Sequence, residues 1–123
     1  MPLVEQRPEG ILTVRWVRVD AIGVGERELQ TSFLLSPETL QTEWSPRALA
    51  DIDPPALEQV LALRPELVLL GTGARQQFLP PRLAALLLSR GIGLETMDNA
   101  AAARTYNLLA AEGRKVVAAF LLG

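Results

Sequence analysis

The chain has 123 residues, of which 49% are apolar and 21% charged, and a formal net charge of −2; that is enough for one domain with its own core. It contains no cysteine and no histidine, which excludes disulfides and zinc–thiolate sites and removes the commonest general base and transition-metal ligand. Charges of both signs are scattered rather than gathered into a basic stripe, so binding of nucleic acid through its phosphates is not expected.

Residues 1–10, MPLVEQRPEG, are polar and proline-rich and are expected to be frayed. They hold neither an apolar signal core nor an Arg-rich amphipathic segment, so a cytoplasmic protein is expected. The longest apolar runs, residues 83–88 and 116–122, are too short to span a bilayer, and no membrane insertion is expected. Residues 11–35 read as an antiparallel hairpin. Leu12, Val14 and Trp16 alternate with polar neighbours, then Val17 and Val19 take over the apolar phase, which predicts a bulge near Trp16. Gly23 and Gly25 fit the turn, and the return strand would present Leu29, Thr31, Phe33 and Leu35 on one face. A short extended piece, residues 40–44, follows.

Asp53-Pro54-Pro55 predicts the first helix, with Asp53 as N-cap, Leu57, Val60 and Leu61 inward, and Pro65 as its stop. Residues 67–70 form an apolar run of the parallel, buried kind. Pro80-Pro81 opens a second helix with Leu83, Leu86 and Leu87 inward and Gly91 just past its end. Residues 92–97 are the next strand. Asp98 caps a third, alanine-rich helix that ends at Gly113, and residues 115–122 are a final strand. Strands alternating with helices after residue 54 predict β-α-β units with parallel pairing. The whole chain, 1–123, reads as a single globular domain.

Gly71-Thr72-Gly73 follows a strand and precedes a helix, a setting in which backbone amides cradle phosphates. The dinucleotide fingerprint needs a third glycine where this chain has Gln76, although Glu95 stands near the ribose-binding position. A P-loop is ruled out, since no Gly-Lys-Ser/Thr follows. The simpler reading is a turn whose geometry needs glycine. Arg75, Asp98 and Asn99 fall at the same edge, the carboxyl ends of the parallel strands, where open α/β sheets bind ligands. Arg75 is a candidate anion partner, and Asp98 is more simply a helix cap. Arg104 leans back toward that edge, with a solvated arginine as the alternative. Asn107 lies about 13 Å along the helix from Asp98 at 1.5 Å per residue, too far to share a small ligand with the glycine turn. A buried hydrogen bond to backbone is its expected use. Tyr106 is expected in the core with a satisfied hydroxyl, and Trp44 as a loop anchor. These three complete a possible pocket.

The elements from Pro65 to Phe120 resemble a known family. They are Pro65-Glu66 before an apolar strand, Gly71-Thr72-Gly73, Gly91-Ile92, Glu95, Asp98, Ala103, Thr105-Tyr106-Asn107, Leu109 and Glu112-Gly113-Arg114. This set is similar to the small domain of archaeal and bacterial uncharacterised proteins that is shared with mitochondrial NADH:ubiquinone oxidoreductase (complex I) assembly factor three. The resemblance implies a three-layer α/β fold with a central mixed five-stranded sheet, and no established enzymatic activity. The mitochondrial relative acts through protein partners.

The expectation is therefore a non-enzymatic interaction or assembly factor that works with another protein, as a monomer or small homo-oligomer. No catalytic residue, metal or cofactor is assigned. The alternative is a ligand-binding or enzymatic domain that uses the Gly71-Thr72-Gly73 edge for an anionic small molecule.

Overall fold

The computed structural model describes residues 10–123; the fraying expected for residues 1–10 concerns, Gly10 apart, residues outside it. Three strands, β1 (Val14–Val17), β2 (Ile22–Val24) and β3 (Arg27–Leu29), form an antiparallel sheet in that order. A second sheet contains β4 (Phe33–Leu35), β5 (Leu40–Gln41), β6 (Leu67–Gly71), β7 (Gly93–Met97) and β8 (Val116–Phe120). Its order is β5-β4-β8-β6-β7. Strands β6, β7 and β8 run parallel, and β4 runs antiparallel to both β5 and β8. The helices are α1 (Pro54–Leu61), α2 (Pro81–Leu88) and α3 (Asn99–Ala111), with one 3-10 turn at Leu49–Asp51.

The period-2 alternation of the buried strands sorts the core into two clusters. Leu69, Val116, Ala118 and Phe120 face α3 and the small sheet. Val68, Leu70, Val117 and Ala119 face α1 and α2. The sheet thus lies between two layers, the α/β architecture and five-stranded mixed sheet that the resemblance implied. Ala102, Ala103 and Ala110 of α3 pack in the same cluster as Ala118 of β8; small residues on both elements let helix and sheet approach closely. Phe33 and Phe120 stack across the β4–β8 pair with ring centroids 5.1 Å apart.

The helix boundaries follow local chemistry. Asp53 Oδ1 accepts from Ala56 N at 3.0 Å, and Asp98 Oδ1 accepts from Ala101 N at 2.8 Å, so both aspartates are N-caps. Helix α1 stops at Leu61, ahead of Pro65, because Arg64 turns the chain out with a φ of +56°. Gly91 (φ +75°) and Gly113 (φ +80°) take the left-handed positions after α2 and α3.

The N-terminal hairpin is present, with the register shift between Val14 and Trp16 that the phase flip predicted. A third strand extends it, and the chain turns twice. Arg18 N donates to Ala21 O at 2.8 Å in the first turn, and Gly25, at φ +57°, makes the second. Gly23 is not in a turn. It sits within β2 beneath the Trp16 indole, where a Cβ would collide with the ring. Arg18 in turn lies over that indole, 4.1 Å from its centroid. The expected single return strand is split. Leu29 belongs to β3, Thr31 is exposed, and Phe33 and Leu35 belong to the other sheet. Ser32 causes the switch, since its Oγ donates to Leu122 O (3.2 Å) and accepts from Leu122 N (2.9 Å), pinning the chain to the end of β8. The extended piece at 40–44 is a strand only over Leu40–Gln41; Trp44 is a buried loop anchor whose Nε1 donates to Ala56 O at 3.0 Å.

Helix α3 holds the small sheet by two side chains. Asn107 Oδ1 accepts from Val14 N (2.9 Å) while its Nδ2 donates to Val14 O (2.8 Å). The amide thereby imitates a neighbouring strand. The Tyr106 hydroxyl donates to Leu12 O at 2.7 Å, and its ring is fully buried. Asn107→Ala is expected to leave both groups of Val14 without partners and to lower stability by about 1–3 kcal/mol, read as a lower urea midpoint; an unchanged midpoint would mean that water replaces the amide at no cost.

Burial pushes the Tyr106 phenol well above its ordinary value of 10.0. The unfolded chain ionises its tyrosine near that ordinary value, so above it the unfolded state binds fewer protons than the folded one. Stability is then expected to fall by about 1.4 kcal/mol per pH unit as pH rises, with no such slope below pH ~10. Tyr106 is the single tyrosine, so the difference in urea midpoints between wild type and Tyr106→Phe, followed from about pH 9 to about pH 11, isolates it.

Candidate functional site

Because β6 and β7 are parallel, their carboxyl ends at Gly71 and Met97 open on one edge, and the amino end of α3 lies beside them. The sequence places Gly71, Thr72, Gly73, Arg75, Asp98 and Asn99 along this edge. A loop separates the turn from α2, which begins at Pro81 as the Pro80-Pro81 pair predicted. The helix end that meets the turn is that of α3.

Asn99 joins three strands' ends. Its backbone N donates to Gly73 O (2.8 Å), its Oδ1 accepts from Gly73 N (3.1 Å), and its Nδ2 donates to Leu121 O (3.0 Å). The residue is only 5% exposed. Gly71 passes so close to Asn99 and Phe120 that a Cβ would strike both, and Gly73 has a φ of +96°. Thr72 N donates to Met97 O at 2.9 Å. Its hydroxyl donates to Arg75 O (2.7 Å) and accepts from Gln77 N (3.1 Å). Among the described residues, no buried side-chain polar atom lacks a partner. Each glycine therefore has a geometric reason, and the amides of Thr72 and Gly73, which would have to face a phosphate, are committed to the protein.

Arg75 and Arg104 are exposed, and neither forms an ion pair with another described residue. They are not brought together. Arg75 lies in the loop after the turn, whereas Arg104 flanks a shallow groove beside β1 with Arg15, Trp16 and Asn107. Tyr106 and Asn107 stand away from the turn, bound to the segment at Leu12–Val14, and Trp44 packs in the cluster on the opposite face of the sheet.

Two residues that the pattern did not single out dominate the edge. Val19 is 86% exposed and Phe78 77% exposed. Val19 tips the turn between β1 and β2 and, with Gly73 and Ala74, lines two adjoining shallow grooves. Its apolar phase matched a strand, yet β1 ends at Val17. Phe78 sits in the loop before α2, in a stretch with no periodicity to show which way it points. Among the described residues, no cluster of three or more carboxylates could hold a metal ion, and no helix is long and apolar enough to cross a membrane.

Known proteins are similar to this chain in both sequence and fold. The chain belongs to the family described as "Protein of unknown function (DUF498/DUF598)", whose profile matches residues 15–121. The family includes a relative from Danio rerio named NADH dehydrogenase [ubiquinone] 1 alpha subcomplex assembly factor 3. It is 36% identical over 90 residues, which is 72% of this chain and 51% of the relative. The chain spans about half the length of the curated relatives of that name. Among solved structures, a Xanthomonas campestris protein is 46% identical with a TM-score of 0.85, over 100% of this chain and 93% of that one. A Bordetella parapertussis protein is 39% identical with a TM-score of 0.87, over 95% and 100%.

Asn99→Ala is expected to strand Gly73 N and Leu121 O and to lower stability by about 1–3 kcal/mol. Gly71→Ala is expected to cost a similar ~1–3 kcal/mol through overpacking against Asn99 and Phe120. Urea titration of each variant checks both; stability within error of wild type for both would show that the turn is looser than its hydrogen bonds imply.

Proposed function

We propose that this protein is a non-enzymatic interaction or assembly factor, and that it binds another protein through the carboxyl edge of its parallel strands. The observation that carries the reading is the exposure of Val19 and Phe78 around a turn in which the amides of Thr72 and Gly73 and the Thr72 hydroxyl are bonded within the protein. Large apolar side chains held in water on one edge favour a partner's surface, since burying them there is favourable at roughly 25 cal/mol per Å². A turn with committed amides offers little to a small anion. The relatives named as assembly factors support the same reading, because assembly proceeds through protein contacts. Arg75, Asp98 and Arg104 would form a polar rim, which tunes association rate and specificity more than affinity.

The rival reading, an anionic ligand held by Gly71, Thr72 and Gly73, requires the turn to release Met97 O and Asn99 first. Thermal melting against nucleotides, phosphate and small carboxylates decides it. A site filled at 100 times its dissociation constant adds about 2.7 kcal/mol of stability, and such a gain would favour the rival.

Affinity capture of the tagged protein from its own cells, with mass spectrometry of what is retained, tests the proposal. The double variant Val19→Ser/Phe78→Ser is expected to melt close to wild type, within about 0.5 kcal/mol, and to lose the captured partner. Full retention of that partner would place the binding surface elsewhere.

A further inference from the structure

Resting on the reading above, we infer that the partner docks by adding an extended segment, antiparallel, to the free edge of β7, and that this segment carries Lys or Arg opposite Glu95. Among the described residues, strand β7 is the last in the sheet order and is paired only with β6. Gly93 N donates to Glu66 O, and Met97 O accepts from Thr72 N. In a parallel ladder, alternate residues turn both backbone groups to the same neighbour. The N–H and C=O of Gly93, Glu95 and Met97 therefore face β6, while those of Leu94 and Thr96 face outward.

Exposed strand edges invite pairing, and proteins blunt them with short strands, charge, proline or bulges. The other edges here are blunted. The outer groups of Val14 in β1 are taken by Asn107. Strand β5 has two residues, and β3 has three, two of them the exposed Arg27 and Glu28. Strand β7 has five residues with no proline, lysine or bulge. Among the described residues its one cover is Gln76, whose exposed Nε2 donates to Thr96 Oγ1 at 2.9 Å and lies 3.5 Å from Thr96 O. That is a cover an incoming strand displaces easily. Phe78, two residues beyond Gln76, and Leu88, on the helix packed against β7, are large apolar side chains left exposed on the elements that flank this edge.

Charge selects the occupant. Glu95 is exposed, lies at the centre of β7, and makes no ion pair with a described residue. In antiparallel addition it occupies a non-hydrogen-bonded position, where the side chain directly opposite comes closest. A second copy paired about Glu95 would set two carboxylates against each other, which is destabilising, whereas a basic residue is favoured there.

The test titrates isotope-labelled protein with a short peptide of alternating Thr and Val with a central Lys, at millimolar concentration, and compares its central-Glu counterpart. Hydrogen exchange at the Leu94 and Thr96 amides is expected to slow at least about tenfold with the Lys peptide and less with the Glu peptide. Glu95→Lys should invert that preference. Gln76→Ala should tighten binding severalfold, and Thr96→Pro, which removes one outward donor while sparing the ladder to β6, should abolish it. Unchanged exchange at both amides, equal protection by both peptides, or protection without peptide in a sedimenting dimer would each overturn the inference. If the partner captured in the preceding experiment binds Thr96→Pro as well as wild type, the interaction reading stands and the edge is wrong. If no partner is captured but the Lys peptide protects both amides, the edge stands without that reading.

Discussion

The structure depends on one helix supplying backbone partners that the sheets lack. Asn99, Tyr106 and Asn107 project from α3 and bond to main-chain groups of Gly73, Leu121, Leu12 and Val14. A small antiparallel sheet needs a hydrophobic face or a helix to pack against for its stability. Here it is docked because Asn107 completes the β1 edge as a strand would, and because Val14, Ile22, Val24 and Leu29 share one apolar cluster with α3. The alanines of α3 make this possible, since larger residues would lift the helix and lengthen those bonds.

The same helix closes the edge where α/β folds commonly bind ligands. With Asn99 drawn into the turn, a side chain at Gly71 would strike it and Gly73 takes a positive φ, so packing by itself accounts for both glycines. The amides of Thr72 and Gly73 are bonded to Met97 and Asn99 within the protein, while Val19 and Phe78 stand exposed in the adjoining turn and loop.

Much of the fold was legible because its signals are local. Asp53 and Asp98 precede proline or alanine runs and cap helices; Gly91 and Gly113 follow helices and take positive φ; the apolar runs at 67–70 and 116–120 become the buried parallel strands β6 and β8. Tyr106, Asn107 and Trp44 were also legible as satisfied core groups, because a polar atom on an otherwise apolar face must find a partner. The rest lay in contacts distant along the chain. Ser32 meets Leu122 ninety residues away, and nothing near Ser32 marks the point at which the chain changes sheets. Asn99 beside an N-cap looked like a ligand residue, since its partners, Gly73 and Leu121, are fixed only by the closed sheet. Arg75 and Arg104 fell on one edge in projection, but Arg104 lines the groove beside β1 and Arg75 does not.

Edge management also explains why Val19 and Phe78 escaped the pattern. A sequence pattern assigns apolar residues to elements, and an apolar residue in a turn has no element to face. Val19 completes an alternation that the strand abandons at Val17, and Phe78 stands beside Leu79, which is buried. Only the burial of neighbours separates the two cases, and burial is a property of the assembled sheet. In this fold the β1 edge is covered by Asn107 and the β3 and β5 edges are short, whereas β7 carries Glu95 and, among the described residues, a single glutamine that reaches over it. That asymmetry among the edges, more than any one residue, directs attention to β7.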